Sequence, residues 1–240
     1  MSSRNSEQPT SQILLIGDDP NMLRTLRRNL VGRGYDVHIA FDDQECLAMA
    51  TDINPDLCIL ILDFTTVNLD GLSVCEQLRQ RTSVPIIALS TIGSSKFEIQ
   101  VLDTGADDYL VMPFGMEKFL ARVRSALRRS VRFQTKHANE DRMIISGDLI
   151  IDIESRQVIV HGVQVHLTPT EYSLLLYLAH RRGKVIPHRE LLKAVWGIEY
   201  SDEREYLRVF ISQIRHKIEE DPLRPVFILT EPGVGYRFRD

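Results

Sequence analysis

Arg204, Arg208, Ser212, Arg215 and His216 fall on one side of a helical repeat, and Leu207, Ile211, Ile214 and Ile218 fall on the other. The apolar set recurs at helical spacing and calls for burial. The opposite set offers guanidinium groups for phosphates and guanine edges, with a small hydroxyl between them. That is the composition of a helix that reads double-stranded DNA. Glu205 adds a carboxylate that can accept from a cytosine amino group, and with Glu203 it lowers nonspecific affinity. A second set lies in the first half of the chain. Asp18, Asp63 and Ser90 stand at the ends of short apolar runs. Such runs read as parallel strands, and doubly wound sheets gather function at the carboxyl ends of their strands. Neither a nucleophile–base set nor a phosphate-cradling glycine loop is present in the sequence, so no enzymatic activity is expected.

The elements that must position these residues follow from pattern. The 240 residues suggest one large or two ordinary domains, and a hydrophobic content of 43% lets each half bury a core. No run of about 18 apolar residues occurs, so no membrane helix is expected. Residues 1–11 are polar, lack an apolar signal core and read as a disordered tail, which fits a cytoplasmic protein. The cysteines, Cys46, Cys58 and Cys75, are odd in number and lie in apolar segments, so they read as buried free thiols. A net charge of -4 gives no global attraction to DNA, and binding must come from a local basic face.

Between residues 12 and 130, short apolar runs at 13–16, 37–40, 57–62, 84–89 and 109–111 alternate with helical patterns, the last of them at about 116–129. Five strands alternating with five helices indicate an α/β fold with a doubly wound, five-stranded parallel sheet. Residues 131–142 lack a sustained period and read as a linker. From residue 143 the grammar changes to an α+β domain. Strands are expected at 149–153, 157–160 and 163–167. A helix follows, with Thr168 as N-cap, Pro169 in its first turn and Glu171 closing a capping box. Further helices are expected at about 188–196 and 202–220, then a hairpin from 226–229 to 236–238 around residues 231–235. Helices followed by a hairpin suggest a winged helix-turn-helix.

These motifs carry a family resemblance. The segment Gly105-Ala106-Asp107-Asp108-Tyr109-Leu110-Val111-Met112-Pro113-Phe114, the run from Val84 to Ser90, and Asp63 with Asp70-Gly71 resemble the receiver domain of OmpR/PhoB-type response regulators. The resemblance implies phosphorylation of Asp63 by a histidine kinase, with Ser90 and Tyr109 as the switch hydroxyl and the switch aromatic. It also implies a lysine where Met112 stands. A thioether has no charge to offer a phosphoryl group. A charged hydrogen bond contributes about 1.5–3 kcal/mol, against about 5.5 kcal/mol for a nearly complete two-state switch. Gly17 replaces one of two acids that help hold magnesium. Asp18, Asp63 and the carbonyl of Thr65 are left for a weak site, and no cofactor is required. Pro55-Asp56 also stands two residues further from Asp63 than is usual in the family.

The family's dimer face comprises the fourth helix, fifth strand and fifth helix. By resemblance, Asp108 pairs with Arg122, Asp103 with Arg124 and Glu98 with Lys118 between subunits, the last pair with its usual signs reversed. Such reversal keeps homodimers attractive and repels ordinary family members. The second half resembles the family's winged-helix domain, and most closely the potassium-transport operon regulators, through Ser201-Asp202-Glu203-Arg204-Glu205-Tyr206-Leu207-Arg208-Val209 and the segment from Ile228 to Phe238. Pro232 stands where many family wings carry arginine, which leaves Arg237 or Arg239 for a backbone phosphate. The loop 196–201 corresponds to the family's polymerase-contacting loop, with Trp196 itself assigned to the core. The expectation is an atypical receiver fused to a winged helix. It dimerises without requiring phosphorylation and binds promoter DNA at tandem half-sites about one helical turn apart. Two alternatives stay open: a conventional regulator phosphorylated on Asp63, and a receiver-based docking module that does not read DNA.

Overall fold

The computed structural model describes residues 10–62, 70–131, 142–200 and 202–240. Asp63, Thr65, the tail residues 1–9 and the linker residues 132–141 lie outside that set. Two compact units divide the chain, Met1–Leu127 and Arg128–Asp240.

In the first unit, the strands are β1 (Gln12–Ile16), β2 (Asp36–Ala40), β3 (Leu57–Leu62), β4 (Ile86–Ser90) and β5 (Asp108–Val111). They form one parallel sheet in the order β2-β1-β3-β4-β5. All six residues of β3 are buried, as the middle strand of a sheet covered on both faces must be. The helices are α1 (Pro20–Val31), α2 (Asp43–Ile53), α3 (Gly71–Arg81), α4 (Ser95–Asp103) and α5 (Met116–Val131). Alternate strand residues Ile13, Leu15, Ile59, Ile61, Ile87 and Leu89 share one core with Leu23, Leu26 and Leu30 of α1 and Phe119, Leu120 and Val123 of α5. The intervening residues face the other side. All three cysteines are free and buried.

Side chains at the carboxyl edge start the helices. Asp19 accepts from the amides of Asn21 and Met22, Asp42 from Glu45, Asp70 from Ser73 and Ser94 from Phe97. Four of the polar groups nearest the ligand side of the sheet are thereby used as caps.

In the second unit, β6 (Met143–Ser146), β7 (Leu149–Asp152), β8 (Gln157–Val160) and β9 (Val163–Val165) form an antiparallel meander. Helices α6 (Pro169–Ala179), α7 (His188–Val195) and α8 (Arg204–Ile218) follow, with β10 (Val185–Pro187) before α7. Strands β11 (Ile228–Glu231) and β12 (Gly235–Phe238) make the hairpin, and β10 joins it in the order β10-β12-β11. The capping box is present: Thr168 Oγ1 accepts from Glu171 and Glu171 Oε2 accepts from Thr168. Leu174, Leu175, Leu178, Leu192, Trp196, Leu207, Ile211, Ile214 and Ile218 are buried together with Ile228 and Phe238. Two strands were not anticipated. β6 and β10 have four and three residues, and they exist because a neighbouring strand pairs with them. Gly235 is required where β12 meets β10, since an added Cβ would lie 1.9 Å from the carbonyl oxygen of Ile186.

Candidate functional site

At the carboxyl end of the first sheet, Ile16 lies level with Leu60, which sets Gly17 beside Ile61. A Cβ added to Gly17 would meet the Ile61 side chain at 3.0 to 3.3 Å. That is overpacking before any carboxylate is attached. The family's interval from Pro55-Asp56, two residues shorter than the one to Asp63, ends at Ile61. Strand β3 therefore runs to Leu62 with apolar residues up to the edge, and Asp63, expected at the strand end, falls beyond the described residues along with Thr65.

Asp18 follows Gly17, and its Oδ2 is buried without a hydrogen-bond partner among the described residues. Burial, with Asp70 and Asp42 adding to it, raises the Asp43 carboxyl above its usual range. Asp19, Asp42 and Asp70 are committed as caps. Among the described residues no group of three or more His, Cys, Asp or Glu side chains is arranged to hold a metal.

Ser90 and Tyr109 are brought together. Ser90 is fully buried, and its hydroxyl oxygen accepts from the Ile92 amide at 3.2 Å. The Tyr109 hydroxyl donates to the Ile92 carbonyl. The ring is 2% exposed and meets Phe97 edge-on at 6.1 Å. Burial raises the Tyr109 phenol above its ordinary value, with a hydrogen bond to Ser90 opposing that shift. Met112 packs partly buried against the α1/α5 core. Its backbone amide donates to the Ser90 carbonyl at 2.7 Å.

Of the three ion pairs expected between subunits, one closes within the chain. Arg122 Nη1 lies 2.8 Å from Asp108 Oδ1, with the two side chains 4% and 0% exposed. This corrects the expectation for that pair, because β5 points Asp108 inward against α5 rather than out of the face. Asp103, Arg124 and Lys118 are exposed and Glu98 is half-buried.

On α8, Arg204, Glu205, Arg208, Ser212 and His216 share the exposed face. Arg215 leaves it. Its guanidinium donates to the Ile228 carbonyl at 2.7 and 3.0 Å and to Thr230 Oγ1 at 2.8 Å, tying α8 to the hairpin. Arg215 directly follows Ile214 of the buried stripe, and that flank position lets the side chain reach β11. Its expected role at DNA is corrected to that of a brace. Arg237 likewise pairs with Glu231 across the hairpin at 2.8 Å rather than standing free for phosphate. His216 Nδ1 contacts the Ser212 carbonyl at 2.8 Å. Arg208 Nη1 donates to Glu205 Oε1 at 2.7 Å.

His188, the first residue of α7, was not singled out from sequence. It meets Tyr236 edge-on at 5.5 Å. Burial first, and then the charges of Arg204 and Arg208, lower its pKa. Only the pairing of β10 with β12 brings it there, and no local signal marks it. Trp196 is fully buried, as expected of a core residue.

The family description "Response regulator receiver domain" matches residues 13–124, and "Transcriptional regulatory protein, C terminal" matches residues 162–238. The chain is 44% identical over 227 residues to the transcriptional regulatory protein KdpE of Mycobacterium tuberculosis, covering 94% of this chain and 98% of that protein. It is 38% identical to the KDP operon transcriptional regulatory protein KdpE of Escherichia coli, over 95% and 99% of the two chains. A solved structure of a RitR mutant superposes with a TM-score of 0.77 at 26% identity, over 96% and 99%. No described helix is long and apolar enough to cross a membrane. With both halves matched and relatives aligned along nearly its whole length, this chain belongs to the OmpR/PhoB family of response regulators, DNA-binding transcription regulators built from a receiver and a C-terminal effector domain.

Proposed function

We propose that this regulator assembles as a homodimer through α4, β5 and α5 without requiring aspartyl phosphorylation, and binds promoter DNA at tandem half-sites in the cytoplasm. The observation that carries this reading is the Ile61 side chain packed 3.0 to 3.3 Å from where a Gly17 Cβ would stand. An apolar contact occupies the edge where the family keeps an acid. Met112, packed against the core, offers no charge in place of the lysine. Meanwhile Tyr109 is buried and hydrogen-bonded to Ile92 within the same chain. On this reading the dimer is held by Glu98 with Lys118 and Asp103 with Arg124, around Val111, which is 39% exposed. No cofactor is needed; Asp18, Asp63 and the Thr65 carbonyl are the groups left to hold magnesium weakly. The loop after α7, where Ile198 is 64% exposed, is the surface offered to RNA polymerase.

The test is sedimentation velocity of the full-length chain with and without magnesium and beryllofluoride, a mimic of the aspartyl phosphate. A dimer under both conditions supports the reading. A monomer that dimerises only with beryllofluoride overturns it and restores Asp63 as the phosphoacceptor of a histidine kinase. Lys118→Glu should weaken the dimer and Glu98→Lys in addition should restore it; no recovery would mean that these residues are not partners.

A further inference from the structure

The basic side chains of the DNA-binding half are less available than their number suggests. Arg215 is tied to Ile228 and Thr230, Arg237 to Glu231, and Lys217 to Glu171. On the exposed face of α8, Arg204 and Arg208 remain as the arginines, and Arg208 carries a carboxylate with it. Its Nη1 lies 2.7 Å from Glu205 Oε1, with the two side chains 65% and 53% exposed. As a stabilising device such a pair is worth little. As a phosphate contact it is counterproductive, because the carboxylate repels the backbone it would approach.

Resting on the DNA-binding reading, we infer that Glu205 and Arg208 form one specificity-determining unit that reads two neighbouring base pairs in the major groove. The guanidinium has five donors, and Glu205 takes one on Nη1. The remaining donors can meet guanine O6 and N7. The carboxylate only accepts. It selects a base that presents an exocyclic amine, the N4 amine of cytosine or the N6 amine of adenine, and rejects guanine and thymine at its own step. Residues three apart on a helix are separated by about 4.5 Å along its axis, close to the spacing of about 3.4 Å between base pairs, so the two groups address adjacent steps. Glu205 also holds Arg208 away from phosphate. The carboxylate thus trades nonspecific affinity for base choice.

Selection from a pool of randomised duplex DNA by the full-length chain, read by sequencing, tests this. The wild type should enrich a site in which guanine is preferred by at least about tenfold at one position, with cytosine or adenine beside it. Arg208→Ala should erase the guanine preference. Glu205→Ala should erase the neighbouring preference and relax the guanine position. It should also steepen the dependence of log affinity on log salt by about 0.9 for an arbitrary duplex, as Arg208 turns to a phosphate. Both side chains are exposed on a helix, and an unchanged Trp196 emission spectrum shows that each variant is folded. Sites enriched by the wild type and recovered unchanged by Glu205→Ala would overturn the inference alone, leaving a surface ion pair. A wild-type pool with no enriched sequence would overturn the DNA-reading assignment, and the inference with it.

Discussion

Replacing Asp108 by alanine should cost the receiver a large part of its stability at every protein concentration. Arg122 Nη1 sits 2.8 Å from Asp108 Oδ1, and the side chains are 4% and 0% exposed. The same carboxylate oxygen accepts from the Tyr109 amide at 2.8 Å. Removing the acid takes this counter-charge from a buried guanidinium, which costs about 3–5 kcal/mol, whereas an exposed pair would cost about 0–1 kcal/mol. Against a total of about 5–15 kcal/mol for an ordinary domain, that is a third or more of the margin in most cases. With a urea slope of about 2 kcal/mol per molar, the midpoint should fall by roughly 2 M. The chain provides its own control. Its single tryptophan, Trp196, lies in the second unit. Far-ultraviolet circular dichroism reports both units and tryptophan fluorescence only the second. Asp108→Ala should move the first transition and leave the second. Asp108 and Arg122 replaced together should cost less than the sum of the single changes, because their mutual attraction is then lost only once. A midpoint shift below about 0.5 M, or one that vanishes on dilution, would refute the intrachain reading and return the pair to the subunit interface.

Four further outcomes follow from the same geometry. Gly17→Asp should destabilise the first unit by about 1–3 kcal/mol through the clash with Ile61; an unchanged urea midpoint would mean that Ile61 moves aside freely. Arg215→Ala should lower the Trp196-reported stability by about 1–3 kcal/mol, since the carbonyl of Ile228 loses its donor. Arg204→Ala should leave that stability within about 0.5 kcal/mol and reduce the salt slope of DNA binding by about 0.9; the opposite pattern would exchange the two roles. Burial pushes the thiols of Cys46, Cys58 and Cys75 up to about 12 from an ordinary 9.0. An acid whose folded pKa is raised contributes stability that is complete below its unfolded value and lost as pH climbs through the folded one. The first unit should therefore hold its thiol contribution up to about pH 9 and lose it from there towards 12. Unfolding titrations across that range that show no thiol-dependent loss relative to a triple serine variant would contradict it.

The five-stranded parallel sheet, the capping box and α8 were legible because each depends on local pattern: apolar runs such as β3, a Thr168–Glu171 spacing, helical periodicity in α8. What stayed hidden depends on register and on side-chain direction. Asp108 and Arg122 stand 14 residues apart, and that separation is the same whether the pair closes within one chain or between two. Arg215 lies on the polar side of a helical wheel, yet it borders the stripe and is long enough to reach the Ile228 carbonyl. The displaced acid was half visible. Counting from Pro55-Asp56 flagged two extra residues, but only the pairing of β1 with β3 shows that Ile61 then lies against Gly17. His188 needed the pairing of β10 with β12, which no periodicity in three residues can announce.

On the proposed reading, the receiver's energetics would let assembly persist without the phosphoryl machinery. The Tyr109 hydroxyl is already bonded to Ile92, and its ring already meets Phe97. A buried hydrogen bond contributes about 0.5–1.5 kcal/mol net, and an edge-on aromatic pair a further 0.5–1.5 kcal/mol or so. Together they favour the inward ring by about 1–3 kcal/mol, enough to make it the major state by roughly fivefold to a hundredfold. A switch that must move a population from 1:99 to 99:1 needs about 5.5 kcal/mol from its ligand. On the proposed reading, a chain that starts most of the way there has little left for a phosphoryl group to do. Met112, which has no charge to grip one, loses nothing by packing against the core instead.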